Sequence, residues 1–395
     1  MRTISFAGGV ARKLKLGLFS CAAAVAVLSA QAPPALAQEY SFTKLADSTE
    51  DNFEPFSFGC ASINAGGDVA FRAGRLAADG FNTTPGIYRV NAVDGSITTI
   101  AEDAKRFNFI GRNPSMNDLG QVSFAARIDG GKKEDTESIL RGSGKKLTTI
   151  ASTADEFNFF GFDTSISNSG EVAFKAELDA EFNFDEGLFS GSGRSTITHY
   201  LASTSQFDGD DSRPSINNLG DIAFAESIDF DDGIFAGREG VFRTIEAPDP
   251  DVSVQEPTYN DGGTAAYERS FFDEANQEFV SEIVKNDGAQ RTTVADTRGA
   301  FGSFGFRPPA INSAGDVAFE ARLDDFVTEG IFTGGDPVTD RVIGTGDTLD
   351  GRRVQGLTFC EEGLNDSGQL GFIAMLEDAD SPNGFRMAVF RATRS

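Results

Sequence analysis

The chain has very little histidine and no tryptophan. Among its 395 residues there is one histidine, His199. This argues against Ser-His-Asp sites, Cys-His sites and histidine-rich metal centres, because each needs an imidazole beside other functional groups. His199 falls in a predicted outer strand, where we expect a surface position. The sequence also lacks a G-x-S-x-G elbow, a P-loop and an H-E-x-x-H motif, so the common signatures of hydrolases, NTPases and zinc proteases are missing.

The chain is also poor in basic residues. It contains 34 Lys and Arg against 60 Asp and Glu. Residues 1–37 hold four of the basic residues and no acidic ones, so the rest carries 30 basic against 60 acidic residues, a net charge of −30. Such a charge repels nucleic acid and anionic membranes. Cations, cationic polymers and basic protein surfaces remain favourable partners, and we expect a monomer.

One apolar run stands out, and it lies at the N-terminus. Four basic residues precede or open an apolar segment at 16–30, and Ala35-Leu36-Ala37 matches an A-x-A cleavage site. These features predict a cleaved signal peptide at 1–37, export to the periplasm or the extracellular space, and one mature domain over 38–395. An uncleaved membrane anchor is the alternative, but the run is short for a membrane span. No later run is long enough, so no membrane insertion is expected.

The chain is rich in one repeated pattern. Seven N-x-x-G turns are predicted, each usually followed by a strand-like V-A-F-x-A run, as in INNLGDIAFAESI and INSAGDVAFEARL. Successive asparagines are 43 to 53 residues apart. A period of this length with four short strands per unit is typical of a β-propeller. The asparagines assigned to the turns are Asn64, Asn117, Asn168, Asn217, Asn260, Asn312 and Asn365.

Residues 157–202 illustrate one unit. Segment 157–167 is a predicted first strand, 171–178 alternates small or apolar with polar residues as a second, and 187–189 and 195–202 complete a four-stranded sheet. The last unit lacks a fourth strand, whereas the segment YSFTKLADS after the leader resembles the fourth strands of other units. We therefore expect an all-β, seven-bladed propeller of four-stranded antiparallel blades, closed by the N-terminal strand joining the last blade.

Two cysteines remain after the predicted cleavage. Cys60 and Cys360 fall in the first strands of the first and last units, which are neighbours once the ring closes. Their one-residue offset relative to the turn asparagines places them on opposite strand faces, as facing blades require. A disulfide is predicted, since exported proteins retain them. The alternative is two buried thiols too far apart to bond.

Two sets of aromatic residues have different expected roles. A repeated aromatic residue in each second strand is predicted to fill the core between blades rather than line a ligand site. Loop aromatics interrupt acidic runs; they are either contact residues or fold back over the blade edges. The core set is Phe71, Phe124, Phe174, Phe224, Tyr267, Phe319 and Phe372, and the loop set is Phe182, Phe184, Phe230 and Phe326.

Acidic residues concentrate in the connections that should share one face of the disc. One interpretation is that they only keep the protein soluble and monomeric. A second is divalent cation binding, most naturally Ca²⁺, which prefers clustered oxygen ligands. A third is paired-carboxylate catalysis on a polysaccharide. The candidate metal ligands are Asp208, Asp210, Asp211, Asp229, Asp231 and Asp232.

The N-x-x-G-x-V-A-F-x-A units resemble the NxxGxxAF tandem-repeat proteins of bacteria. The resemblance covers nearly all of the chain after the leader and implies an exported, propeller-like protein; it identifies no catalytic residue and no cofactor. We expect a binding or interaction module that contacts a protein or polysaccharide partner through its acidic loop face. The alternatives are a carbohydrate-active hydrolase or lyase using carboxylates of that face, and a Ca²⁺-stabilised structural protein of the envelope.

Overall fold

The strands form seven antiparallel sheets arranged as a seven-bladed propeller, which confirms the predicted fold class. In this computed structural model the chain is described over residues 38–78, 82–103, 105–179, 185–209 and 213–395. The four positions in a blade are called the inner, second, third and outer strands, counted from the central channel. In the described part of the chain, no helix is long and apolar enough to cross a membrane.

The first four blades follow one another along the chain. Blade 1 consists of Phe53–Glu54, Ala61–Ile63, Val69–Leu76, Thr83–Val90 and Ile97–Glu102. Blade 2 consists of Phe107–Ile110, Ser115–Met116, Val122–Ile128, Thr136–Gly142 and Leu147–Ser152. Blade 3 consists of Phe157–Ile166, Val172–Leu178, Asp185–Gly191 and Thr196–Leu201. Blade 4 consists of Ser215–Ile216, Ile222–Ile228, Asp231–Arg238 and Val241–Glu246.

The last three blades complete the ring. Blade 5 consists of Val252–Val254, Thr258–Tyr259, Ala265–Asp273, Glu278–Asn286 and Arg291–Asp296. Blade 6 consists of Phe301–Phe304, Ala310–Ile311, Val317–Leu323, Glu329–Phe332 and Arg341–Gly344. Blade 7 consists of Tyr40–Asp47, Thr348–Leu349, Arg352–Thr358, Leu370–Glu377 and Phe385–Arg394. Short 3₁₀ turns occupy Pro55–Ser57 and Ala202–Thr204.

The N-terminal strand lies at the outer edge of blade 7. Tyr40–Asp47 pairs antiparallel with Phe385–Arg394, which supports the predicted ring closure. The Arg386 guanidinium bridges the two ends of the chain: Nη1 donates to Asp47 Oδ2 at 3.0 Å and Nη2 lies 2.6 Å from Asp378 Oδ2. Both carboxylates are buried. The first and last segments are therefore joined by a ladder and by a buried ion network.

The repeated aromatic residues fill the core, as predicted. All seven are buried at no more than 2% exposure. The apolar clusters combine neighbouring blades: Ala70 and Ile87 of blade 1 pack with Ile110 and Phe124 of blade 2. The alternation of large and small residues along V-A-F-x-A therefore places side chains on both faces of each blade in contact with an adjacent blade.

The glycine turns between inner and second strands follow one geometry. In blade 6, Asn312 Oδ1 accepts from Asp316 N at 2.9 Å, and Gly315, at φ +81°, donates its N–H to the Asn312 carbonyl. Asn312 therefore holds both ends of its turn, and glycine adopts the left-handed backbone at little cost.

In blade 3 the predicted turn-opening residue is wrong by one position. Gly170 donates to the carbonyl of Ser167 at 2.9 Å, so Ser167 opens this turn and Asn168 lies one position later. The reason is the fixed length of the turn, in which the opening residue precedes the left-handed glycine by three positions. A serine therefore replaces asparagine in one of the seven turns.

The prediction for His199 was also wrong. It lies in the outer strand of blade 3 but is only 2% exposed, because the third-to-outer turn of blade 4 covers it. His199 Nε2 is 2.9 Å from Ser190 Oγ, and Nδ1 accepts from Glu239 N at 3.3 Å. Burial, reinforced by the positive charge of Arg238, lowers the pKa of His199 to about 4. This imidazole is neutral at pH 7 and serves as an inter-blade packing and hydrogen-bonding group.

Candidate functional site

The glycine turns surround one end of the central channel and are hydrogen-bonded to one another. The side-chain amide of a turn asparagine donates to a turn carbonyl of the next blade. The donors are Asn117 to Ser167 O, Asn217 to Asn260 O, Asn260 to Asn312 O, Asn312 to Asn365 O and Asn365 to Asn64 O, at 2.8 to 3.3 Å. The last of these bonds crosses from blade 7 to blade 1, so the asparagine bonds also join the two blades at which the ring closes.

A second set of contacts uses the residue that follows the turn-opening position. Its backbone N–H donates to the side chain of the equivalent residue in the next blade. The pairs are Ala65 to Asp118, Asp118 to Asn168, Asn168 to Asn218, Asn218 to Asp261 and Ser313 to Asp366, at 2.7 to 2.9 Å. This position therefore favours short side chains that accept hydrogen bonds.

A third set lies deeper, two residues before the turn-opening position. Hydroxyl oxygens accept backbone N–H groups from the next blade, with partners Ser62 and Met116, Ser115 and Ile166, Ser165 and Ile216, and Ser215 and Tyr259, at 3.0 to 3.1 Å. This role was not predicted, although a hydroxyl residue precedes the turn by two positions in five of the seven blades.

These contacts frame a cavity of about 140 Å³ at the turn end of the channel, called the vestibule. All seven blades contribute to its lining. Glu362 of blade 7 lines its inner part, where Ser165 Oγ of blade 3 donates to Glu362 Oε1 at 3.4 Å. Asp118, Asp261 and Asp366 lie around its mouth. The vestibule is therefore a small polar recess with one carboxyl group inside and three around the opening.

Beyond the vestibule, an ion pair crosses the channel. The guanidinium of Arg213 in blade 4 contacts the carboxylate of Glu361 in blade 7, and both side chains are buried at 6% and 2% exposure. Blades 4 and 7 are as far apart as a seven-membered ring permits. Glu256 of blade 5 accepts from Arg213 N at 3.2 Å. The ion pair of Arg213 and Glu361, called the channel plug, therefore separates the vestibule from the loop end of the channel.

Negative charge exceeds positive charge around this ion pair. Arg213 interacts with Asp163, Glu256, Glu361 and Glu362, whose combined attraction outweighs burial and raises the pKa of its guanidinium. Burial raises the pKa of Glu362 to about 7, and burial also raises the pKa of Glu256. Glu361 Oε2 has no hydrogen-bond partner. In the described part of the chain, one guanidinium thus faces four carboxyl groups. None of these residues was predicted from the sequence.

A groove of about 250 Å³ lies at the loop end, between blades 4 and 6. It contains the carboxyl groups of Glu226, Asp232 and Glu256, and Phe306 lies at its edge with a fully exposed ring. Tyr200 Oη donates to Glu226, and the hydroxyls of Ser227 and Ser253 donate to Asp232 at 2.9 and 3.2 Å. No basic side chain is among the described residues that line it. The remaining lining residues are Ala225, Ser227, Val254, Gln255 and Pro308.

The predicted calcium ligands have structural roles where they are described. Asp208 Oδ2 accepts from Phe230 N at 2.9 Å, and Asp229 and Phe230 form a two-residue hairpin turn with positive φ. Asp231 pairs with Ile228 in the ladder that begins at this turn, and Asp232 is held by the two serines of the groove. Asp210 and Asp211 lie outside the described residues. Calcium binding therefore stays a prediction.

Cys60 and Cys360 form a disulfide with Cα atoms 5.8 Å apart. It joins the inner segments of blades 1 and 7 beside the channel. Among the described residues, these sulfurs and a Glu361 oxygen are the only three potential metal-ligand atoms of Cys, His, Asp and Glu that lie within 4.8 Å of one another. Sulfurs joined in a disulfide do not bind a metal as thiolates, so this cluster is a covalent link between the two blades.

The loop aromatics that are described remain accessible. Phe230 is 92% exposed at its hairpin tip, and Phe326 is 64% exposed. Phe182 and Phe184 lie outside the described residues. Phe230 therefore does not fold back over its blade, and it belongs to the surface that a partner can reach.

The fold and the channel define the molecule as a β-propeller whose central channel is blocked by an ion pair. The vestibule lies at one end of the channel and the groove at the other. The chain belongs to the family of unknown function DUF7453, whose model matches residues 25–161 and 246–395. No functionally curated protein matches the chain.

Solved structures share the fold at low sequence identity. An oligogalacturonate lyase from Vibrio parahaemolyticus has a TM-score of 0.55 at 12% identity, over 91% of this chain and 97% of that chain. The β-propeller domain of the Trilobed protease from Pyrococcus furiosus has a TM-score of 0.51 at 9% identity, over 85% and 94%. Prolyl oligopeptidase B from Galerina marginata has a TM-score of 0.51 at 9% identity, over 90% and 51%. These similarities establish the architecture only.

Proposed function

We propose that this protein is an exported binding module that holds a cationic group of its partner in the groove between blades 4 and 6. The observation that supports the proposal is the composition of that groove. Three carboxyl groups line it without a basic residue among its described lining, and the exposed ring of Phe306 borders it. A large apolar side chain left fully in solvent beside convergent polar groups is typical of a contact site.

The chemistry of the groove favours a lysine or arginine side chain of a protein partner. A cation over the face of Phe306 gains about 0.5–1 kcal/mol at an exposed site, and more when water is excluded. Glu256 is held at the groove by Arg213 and keeps one edge accessible, so it can accept a charge-assisted hydrogen bond. The acidic loops around the groove add long-range attraction that raises the rate of encounter.

Export is supported by the signal-peptide pattern of residues 1–37 and by the Cys60–Cys360 disulfide, since such bonds persist in oxidising compartments. The resemblance to the exported NxxGxxAF repeat proteins supports the same location. The acidic loops also permit a calcium-stabilised form. A rise in the unfolding midpoint with millimolar Ca²⁺ over EDTA is the expected sign of native-state binding, and an unchanged midpoint rejects it.

A carbohydrate-active hydrolase or lyase is the competing proposal. The similar Vibrio structure is that of an oligogalacturonate lyase, and an oligogalacturonate is a polyanion. The groove of this chain carries three carboxyl groups, which repel such a substrate. The described histidine is buried between blades and is not a general base at either recess. Binding of a cationic partner therefore fits this site better than cleavage of an acidic polysaccharide.

The test is calorimetric titration of the purified protein with hexa-arginine, hexa-lysine, a chitosan hexamer and trigalacturonate. The proposal predicts that the basic peptides bind and that Phe306→Ala and Glu256→Gln each weaken them by about tenfold, about 1.4 kcal/mol. The matched controls are Phe279→Ala, an exposed ring outside the groove, and Glu239→Gln, an exposed carboxylate at the opposite turn end. Binding unaffected by both groove variants, or cleavage of trigalacturonate, overturns the proposal.

A further inference from the structure

We infer that the vestibule at the glycine-turn end is a second, separate site, which binds an organic cation bearing a primary ammonium or guanidinium group. This site faces away from the loop groove and lies beyond the Arg213–Glu361 ion pair. The inference therefore does not depend on the proposed function.

The walls of the vestibule present acceptors rather than donors. Five turn asparagines use their amide N–H groups on carbonyls of the next blade, and backbone N–H groups of the following position are taken by side chains such as Asp118 and Asp261. Carboxylate oxygens can accept further hydrogen bonds from a ligand. A ligand that fits these walls must therefore bring N–H donors.

Charge selects the same class of ligand. Asp118, Asp261, Asp366 and Glu362 line the vestibule, and no basic side chain is among its lining in the described chain. Arg89, Arg141 and Arg238 instead donate to glycine carbonyls on the flanks of three turns. A concave, acceptor-rich recess of this kind concentrates cations.

The plug beneath the vestibule provides an independent observation. The guanidinium of Arg213 contacts Glu361, and its Nε lies 3.8 Å from Glu256 Oε2. Glu361 Oε2 and Arg213 Nε are both buried without a hydrogen-bond partner. Glu362 therefore lies beside negative charge that the one guanidinium does not balance. A partly buried carboxyl group in this position is stabilised either by protonation or by a cation from solution. A cation entering the vestibule supplies the missing charge.

The spacing of the carboxylates favours an extended organic cation over a bare metal ion. The three mouth aspartates belong to blades 2, 5 and 7, and no three described acidic side chains at the vestibule have oxygens within 4.8 Å of one another. Calcium requires several oxygens at about 2.3–2.6 Å from one ion. A lysine or arginine head group with several N–H donors can bridge more widely spaced acceptors, and the volume of about 140 Å³ admits one such group rather than a polymer.

The experiment is titration of the purified protein with N-acetyl-lysine amide, N-acetyl-arginine amide and spermidine, followed by NMR and calorimetry. The expected result is saturable binding of at least one probe, weakened at least about tenfold in Glu362→Gln and more modestly in Asp261→Asn. Phe306→Ala, at the loop groove, should leave the affinity within about twofold. The source of the cation is distinguished by the preferred probe: a side-chain amide indicates a protein partner, and spermidine a free polyamine.

The pH dependence gives a second readout. Glu362 faces Arg213, Glu361, Ser115 and Ser165, and the mouth aspartates complete the charged groups of the recess. Because the pKa of Glu362 is about 7, affinity should rise between about pH 6 and about pH 8 as the carboxylate forms, and this rise should vanish in Glu362→Gln. Asp366→Asn, at the exposed mouth, serves as the variant least able to disturb folding.

Three outcomes overturn the inference: no probe binds, Glu362→Gln binds as well as the wild type while remaining folded, or Phe306→Ala abolishes binding while Glu362→Gln does not. The last result would assign the cation to the loop groove and leave the proposed function intact.

Discussion

The two ends of the channel differ in how far their residues repeat from blade to blade. At the turn end, the same residue types recur from blade to blade and bond to their counterparts in the next blade. At the loop end, the channel position four residues before the turn-opening residue holds six different residue types in the seven blades. It is occupied by Cys60, Asn113, Asp163, Arg213, Glu256, Pro308 and Glu361.

The difference separates scaffold from site. A position that repeats must satisfy the same neighbour contacts seven times, so its chemistry is fixed by the ring. A position that varies is free of that requirement and can hold a disulfide, an ion pair across the channel or the wall of a groove. The prediction is that changes at repeated or closing contacts affect stability, whereas changes at varied, accessible positions affect binding.

The largest effect is expected at ring closure. Arg386→Met removes the cation shared by the buried carboxylates of Asp47 and Asp378 and should cost up to about 3–5 kcal/mol of unfolding free energy. The cost stays within this limit because Lys44 remains 3.6 Å from Asp47 and Arg352 remains 2.8 Å from Asp378. Urea unfolding provides the measurement. Arg322→Met, which removes a solvent-exposed pair with Glu329, is the control and should cost less than about 1 kcal/mol. Equal losses for the two variants would contradict the closing role of Arg386.

The next effect is a loss of stability in acid at His199. The pKa of its imidazole is about 4 in the folded protein, below the ordinary value of 6.5. A depressed pKa contributes stability that is present above about pH 6.5 and is lost as pH falls toward about 4. Wild type should lose up to about 3 kcal/mol more than His199→Gln between about pH 7 and about pH 4. Parallel stability curves for the two proteins would show that this imidazole is not held neutral by the fold.

A smaller effect should distinguish neighbouring residues of one turn. Asn312 is buried and bonds Asp316 N and Asn365 O, so Asn312→Ala should cost about 1–3 kcal/mol. Ser313→Ala loses one exposed hydroxyl contact with Asp366 and should cost less than about 1 kcal/mol. Thermal unfolding of both variants tests the expectation that repeated contacts determine stability. A lower midpoint for Ser313→Ala than for Asn312→Ala would contradict it.

An effect comparable in size to that of His199 has the opposite pH dependence. Glu362 has a folded pKa of about 7, above its ordinary value of 4.5. A raised pKa contributes stability that is present below about pH 4.5 and is lost as pH rises through about 7. Glu362→Gln should therefore gain up to about 3 kcal/mol relative to wild type at about pH 8 and little at about pH 4.5. An advantage that does not change with pH would assign the effect to packing instead.

The repeated part of the molecule was predictable and the varied part was not. The turn asparagines, the second-strand aromatics and the N-terminal strand were found because each recurs or completes a recurring unit. Ser167 was missed because blade 3 replaces asparagine, and His199 was misplaced because the sequence does not show which outer strand a neighbouring blade covers.

The channel plug was missed for a different physical reason. Arg213 and Glu361 are 148 residues apart in the chain and meet only because the ring closes. In the sequence, Glu361 and Glu362 also resemble any other pair of adjacent acidic residues. The loop groove combines blades 4, 5 and 6, so its carboxyl groups and Phe306 share no local pattern. Contacts across a ring carry no periodic signal, and the repeat cannot reveal them.

Hydrogen exchange with and without bound hexa-arginine tests the central claim most directly. If the loop end is the partner site, the peptide should slow exchange at 225–232, 253–256 and 305–308, and Phe306→Ala should remove that protection. Protection confined to the glycine turns, or binding without protection in these three segments, would contradict the assignment of partner recognition to the loop groove.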